Sequence, residues 1–154
     1  MSWINTGNLE VDNQLSQQLP NFESHTLNVI GFGISIIETS RIKELVQQPK
    51  DDSEIQYFTV RERITSWNGV KRIQYLAGRF AAKQAVLKAI GRECYQSNIW
   101  LDIEIQRLST GEPSVILHGK CQEIAAKLGV NKWLVSISHE DSYAAASAIA
   151  VGCT

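Results

Sequence analysis

The sequence predicts an α+β domain with mainly antiparallel strand pairing, its sheet packed on one long and two shorter helices. Three observations carry this. Short apolar segments with strand character recur, one of them (IWLDIEIQRL) alternating with period two, the later ones joined by tight turns. One long segment, about Lys71 to Ile90, has helical periodicity and helix-favouring residues. The segments run strand, helix, helix, two strands, helix, two strands, which suits hairpins laid against helices better than a parallel sheet.

Residues 1–27 are rich in Asn, Gln and Ser and are expected to be a polar N-terminal extension, with the folded domain spanning 28–154. The run LNVIGFGISII reads as a strand, and Gly31 and Gly33 suggest that something approaches its backbone closely. ETSRIKELVQQ reads as a helix followed by Pro49. Residues 50–70 read as a polar connection ending at the turn-like Asn68-Gly69. After the long helix, IWLDIEIQRL and SVILHG form a hairpin about Thr110-Gly111-Glu112-Pro113. GKCQEIAAKLGV is a short amphipathic helix closed by Gly129, and KWLVSISHE and SYAAASAIAVG are two more strands about Asp141-Ser142.

Composition narrows the function. The 154 residues suffice for one domain with a real core, and no apolar run approaches the roughly 20 residues that span a bilayer. Residues 1–28 hold no Lys or Arg and lack a secretory layout, so the expectation is a cytoplasmic protein with no membrane partner. Cys94, Cys121 and Cys153 match no disulfide framework or metal knuckle and are expected to be buried or inert. The net charge is −1, yet the window from Arg41 to Arg92 holds 11 basic against 5 acidic residues, a local +6. That suggests a face for an anionic partner, with a merely solvated helix face as the alternative. No aromatic–basic interleaving supports nucleic acid.

Taken alone, the candidate residues are ambiguous. The Gly31-x-Gly33 pair lacks the rest of a dinucleotide fingerprint, and no P-loop occurs. Lys88 shares a helix face with Gln84 and Phe80, where a lysine either snorkels or reaches a phosphate. His139 closes a strand next to a turn, a position used both for packing and for binding.

Five blocks, GFGISIIETSRI, YLAGRFAAKQAVLKAIG, WLDIEI, GEPSVILHGK and KWLVSISHEDSYAAA, together resemble the holo-acyl-carrier-protein synthases, the small trimeric 4'-phosphopantetheinyl transferases. The resemblance covers roughly residues 28–151. It implies transfer of phosphopantetheine from coenzyme A to a serine of acyl carrier protein, with Mg²⁺ between the pyrophosphate and two protein carboxylates. It also implies a homotrimer whose active sites lie between protomers.

Residue by residue, Arg41 falls on the carrier-protein docking position. Arg79, Lys88 and His139 fall on coenzyme-binding positions, and Lys88 and His139 are the candidates for chemistry. The two metal positions differ: where the family pattern has Asp and Glu, this chain has Ser35 and Gln84. A hard cation favours carboxylates, so weak or no Mg²⁺ binding is expected. The Gly-Thr-Gly that follows the long helix in the family is Gly91-Arg92-Glu93 here. The alternative to a transferase is a non-catalytic paralogue that binds coenzyme A or a carrier protein without transfer.

Overall fold

The computed structural model describes residues 26–48, 53–65, 67–91 and 99–153. Most of the expected extension (1–25), Lys50, Arg92, Glu93 and Cys94 lie outside the described residues.

Strand β1 (Leu27–Glu38) leads into helix α1 (Thr39–Gln47), followed by the short helices α2 (Ser53–Tyr57) and α3 (Val60–Arg63). The long helix α4 (Gly69–Ala89) comes next. A 3-10 turn at Ile99–Asp102 opens the hairpin β2 (Ile103–Arg107) and β3 (Pro113–Leu117). Helix α5 (Gly119–Leu128) and the hairpin β4 (Lys132–His139) and β5 (Tyr143–Cys153) complete the fold. One sheet has the order β1-β5-β4, and β2-β3 forms a second; all pairing is antiparallel.

The core lies between α4 and the three-stranded sheet, and small residues set its geometry. On β5, Ala144, Ala146, Ala148 and Ala150 are buried, and on α4 so are Ala77, Ala81, Ala82, Ala85 and Ala89. Gly31 and Gly33 pair with Ala150 and Ala148. A Cβ on Gly31 would sit 1.7 Å from the Ala89 carbonyl oxygen, and one on Gly33 1.9 Å from that of Ala85. The close approach expected at these glycines is therefore the backbone of α4. Nearer its start, α4 crosses β4, where a Cβ on Gly78 would meet Ile137 at 2.9 Å. The helix thus runs diagonally from β4 to β1, and this crossing decides which side chains meet.

One expectation needs correction. Residues 50–70 are not simply a polar connection: α2 and α3 lie there, anchored by Phe58 and Glu62, both with no exposed surface. Thr59 and Glu62 form a reciprocal capping box at the start of α3. Of the cysteines among the described residues, Cys121 is buried and Cys153 exposed, both free thiols. Among the described residues no helix is long and apolar enough to cross a membrane.

The sheet face turned away from α4 carries exposed apolar side chains. Phe32, Ile34 and Ile36 of β1 are each more than half exposed, and Leu134 of β4 is 47% exposed. Phe32, Ile149 and Leu134 stand in one row across the three strands.

Candidate active site

Alternation along β1 turns Gly33, Ser35 and Ile37 toward α4. On the facing helix, Gln84 lies beside Ala85, the residue against which Gly33 packs. These two constraints bring Ser35 and Gln84 together: the Ser35 hydroxyl donates to Gln84 Oε1 at 2.5 Å. Ser35 is 3% exposed.

Gln84 opens onto a cleft of about 370 Å³ whose lining includes Glu38, Arg41, Leu45, Phe80 and Tyr143. Arg41 is delivered by the first turn of α1. That turn is tied to the β4–β5 connection by Thr39, whose N–H donates to the Ser142 carbonyl at 2.9 Å and whose hydroxyl donates to that of Asp141 at 2.7 Å. Lys88, one turn beyond Gln84, is exposed, and its ammonium donates to the Ile34 carbonyl at 2.9 Å. A roomier hollow of about 650 Å³ adjoins the cleft and shares Glu38 and Tyr143 with it.

Arg79 and His139 lie elsewhere. Arg79 follows Gly78, where α4 crosses β4; it is 9% exposed, with its guanidinium 4.0 Å from the centre of the Tyr75 ring. Its buried Nε has no hydrogen-bond partner. A buried guanidinium donor in that state suits an incoming anion. His139 ends β4, exposed, in register with Ala144 of β5, which pairs in turn with Ile37 of β1. It is thus two strand spacings, about 10 Å, across the sheet from β1. Within one chain the candidate residues form two groups. Ser35, Gln84, Arg41 and Lys88 gather at the β1 edge, while Arg79 and His139 lie toward the β4 edge.

Lys83 and Glu62 hold the aromatic wall beside the cleft, and sequence reasoning placed neither there. The Lys83 ammonium lies 2.6 Å from a Glu62 carboxylate oxygen and donates to the Tyr57 and Trp100 carbonyls at 2.7 and 2.9 Å. Glu62 also accepts from the N–H groups of Thr59 and Ile105, both at 2.8 Å. Phe80, which lines the cleft, stacks on Trp100 at 4.9 Å between ring centres and meets Tyr57 edge-on at 5.6 Å. The Thr-x-x-Glu spacing at 59–62 was the available signal.

The metal the resemblance implies does not fit these donors. Ser35 and Gln84 offer a neutral hydroxyl and a neutral amide oxygen that already satisfy each other, where Mg²⁺ favours carboxylates. Among the described residues no three His, Cys, Asp or Glu side chains gather so as to hold a metal ion.

A diagonal helix packed on an antiparallel sheet, with basic residues toward both sheet edges, defines the class as α+β. Comparison with known proteins makes the class specific. Residues 31–148 match the family model described as the 4'-phosphopantetheinyl transferase superfamily. The holo-[acyl-carrier-protein] synthase of Natranaerobius thermophilus is 40% identical over 121 residues, 79% of this chain and 96% of the relative. That of Edwardsiella ictaluri is 35% identical over 124 residues, 80% and 98% of the two chains. Among solved structures, the Plasmodium yoelii acyl carrier protein synthase with ADP bound is similar with a TM-score of 0.70 and 31% identity, covering 84% of this chain and 99% of that one. A Bacillus anthracis holo-(acyl-carrier-protein) synthase in complex with CoA (3',5'-ADP) is similar with a TM-score of 0.65 and 29% identity, covering 80% and 97%. The chain belongs to the 4'-phosphopantetheinyl transferase superfamily, among the holo-acyl-carrier-protein synthases.

Proposed function

We propose that this chain transfers 4'-phosphopantetheine from coenzyme A to a serine hydroxyl of an acyl carrier protein, in the cytoplasm and as a homotrimer. The observation that carries the reading is Arg79, a buried guanidinium with a donor left open, in a chain that also keeps Arg41, Lys88 and His139. In the reaction the serine oxygen forms a bond to the β-phosphorus of coenzyme A. The bond from that phosphorus to the bridging pyrophosphate oxygen breaks, and adenosine 3',5'-bisphosphate leaves. Arg79 and His139 hold the phosphates at the nucleotide end, and Lys88 offsets charge growing on the leaving oxygen. Glu38, the one carboxylate among the described residues lining the cleft, accepts the serine proton. Arg41, exposed at the cleft mouth, receives the acidic carrier.

The trimer is supported by two features. The row Phe32, Ile149, Leu134 lies on an apolar sheet face that α4 does not cover. The two groups of site residues lie apart within one chain, so a neighbour's β4 edge set beside this chain's β1 edge would complete the site. A boundary between a polar extension and the folded domain near residue 27 belongs to the same reading, supported by the start of the family match at Gly31.

The second reading, a paralogue that binds coenzyme A without transfer, is favoured by the neutral Ser35–Gln84 pair. Mass spectrometry separates the two. The full chain is incubated with coenzyme A and apo-carrier proteins from the same source, with and without Mg²⁺. A phosphopantetheine adduct on the carrier serine is expected; bound coenzyme with no adduct at high protein concentration leaves the second reading standing.

A further inference from the structure

The Ser35–Gln84 contact is a built feature of the core edge. Ser35 pairs with Ala146 of β5, itself 4% exposed, so its hydroxyl lies between sheet and helix at the edge of the core, where its partner Gln84 meets the cleft. Two carboxylates in the same positions would face each other across this contact. Burying one anion there is costly and burying two is more so, unless a cation lies between them or one takes up a proton. A hydroxyl donating to an amide oxygen needs neither, and it ties β1 to α4 through one satisfied hydrogen bond.

The exchange also changes the field around the cleft. Arg41 and Glu38 line the cleft one against the other, and Lys88, outside that lining but one turn of α4 beyond Gln84, adds a second cation along this edge. An ammonium has three donors, and Lys88 commits one to Ile34, leaving two for phosphate oxygens. An anion meets net positive charge directly, where a pair of carboxylates would reverse the balance and require a bridging cation.

We infer that Ser35 and Gln84 form a neutral clasp in place of a metal site, and that this chain holds the coenzyme's pyrophosphate on Lys88 with no protein-held divalent cation. The second half rests on the coenzyme A reading proposed above; the first does not.

Manganese alone tests the clasp, by the electron paramagnetic resonance signal of free Mn²⁺ titrated with the full chain. No site tighter than about 1 mM is expected in the parent. Ser35→Asp with Gln84→Glu is expected to gain a site, to melt below the parent in EDTA, and to recover when Mn²⁺ is added. Tight Mn²⁺ binding by the parent, or a double variant indifferent to Mn²⁺, overturns the clasp. Should the double variant not fold, Gln84→Glu alone, at the half-buried position, is held to the same criterion. Calorimetry with coenzyme A tests the second half: affinity in EDTA within about twofold of that in Mg²⁺ is expected, and a loss of about tenfold (about 1.4 kcal/mol) overturns it. No coenzyme binding in either buffer overturns the coenzyme reading and the second half with it, while the Mn²⁺ result still decides the clasp.

Discussion

Lys83 and Glu62 form an ion pair of 2.6 Å in which neither side chain is exposed to solvent. Burial pushes the Lys83 ammonium below its ordinary range and the Glu62 carboxyl above its own, each against the pull of the other. The pair joins α4 to α3 and, through the Tyr57 and Trp100 carbonyls, to the aromatic wall of the cleft. Removing one partner of such a pair strands the other. Lys83→Met is expected to lose about 3–5 kcal/mol near neutral pH in urea unfolding.

The same variant has a pH signature. Lys83 supplies the main influences that lower the Glu62 pKa, so its removal raises that pKa further above the ordinary 4.5. A carboxyl whose pKa is raised in the folded state binds its proton more tightly there than in the unfolded chain. Its contribution is therefore present at low pH and lost as pH rises through the folded pKa. The stability gap between parent and Lys83→Met should narrow as pH falls toward about 5. A gap that widens instead would show that Glu62 does not carry the effect.

Gly33→Ala places a Cβ 1.9 Å from the Ala85 carbonyl oxygen and 3.0 Å from the Ala89 nitrogen. Both neighbours are helix backbone, so α4 must lift from the sheet. The expected loss is about 1–3 kcal/mol or more in chemical denaturation, with the m-value unchanged.

Arg79→Gln removes a buried guanidinium while keeping a polar side chain of moderate length. If Arg79 holds a coenzyme phosphate, the loss of a charge-assisted contact worth about 1.5–3 kcal/mol weakens coenzyme A binding by about 10- to 150-fold. Calorimetry reads the affinity, and a melting curve separates this effect from misfolding.

Arg41 is exposed on α1, so its reversal should act on encounter with the carrier more than on chemistry. Arg41→Glu is expected to raise KM for the carrier about tenfold with kcat little changed, and to flatten the salt dependence of kcat/KM. An equal fall in kcat would move Arg41 from docking into the reaction itself.

In the proposed trimer, the separation of Lys88 from His139 predicts complementation. Lys88→Ala and His139→Ala chains should each be inactive, yet mixed trimers should regain up to about a quarter of parent activity, because random assembly puts two intact halves side by side that often. No recovery after co-refolding would mean that each chain builds its site alone.

Much of this molecule follows from local pattern. The apolar runs along 27–38 and 132–153, the helical period of α4 and the turns at Gly111, Gly129 and Asp141-Ser142 are short-range signals, and the elements formed there. Five blocks in family order single out Arg41, Arg79, Lys88 and His139 as candidates from sequence alone. The segment 50–70 was read less well because its anchors, Phe58 and Glu62, are two residues in a polar run with no period to reveal them.

What tertiary structure alone decided is which groups meet. Ser35 and Gln84 are 49 residues apart, and periodicity says which face each occupies without saying that the faces touch. Their contact depends on the diagonal path of α4, set by glycines and alanines too small to hold it off the sheet. The same path buries Lys83 and Arg79, which a helical wheel would leave in water, and leaves Lys88 at the β1 edge with His139 toward the far one. Sequence by itself determined the fold and the kind of chemistry; the crossing of one helix over three strands determined that Ser35 and Gln84 close on each other and that the candidate residues divide between two edges.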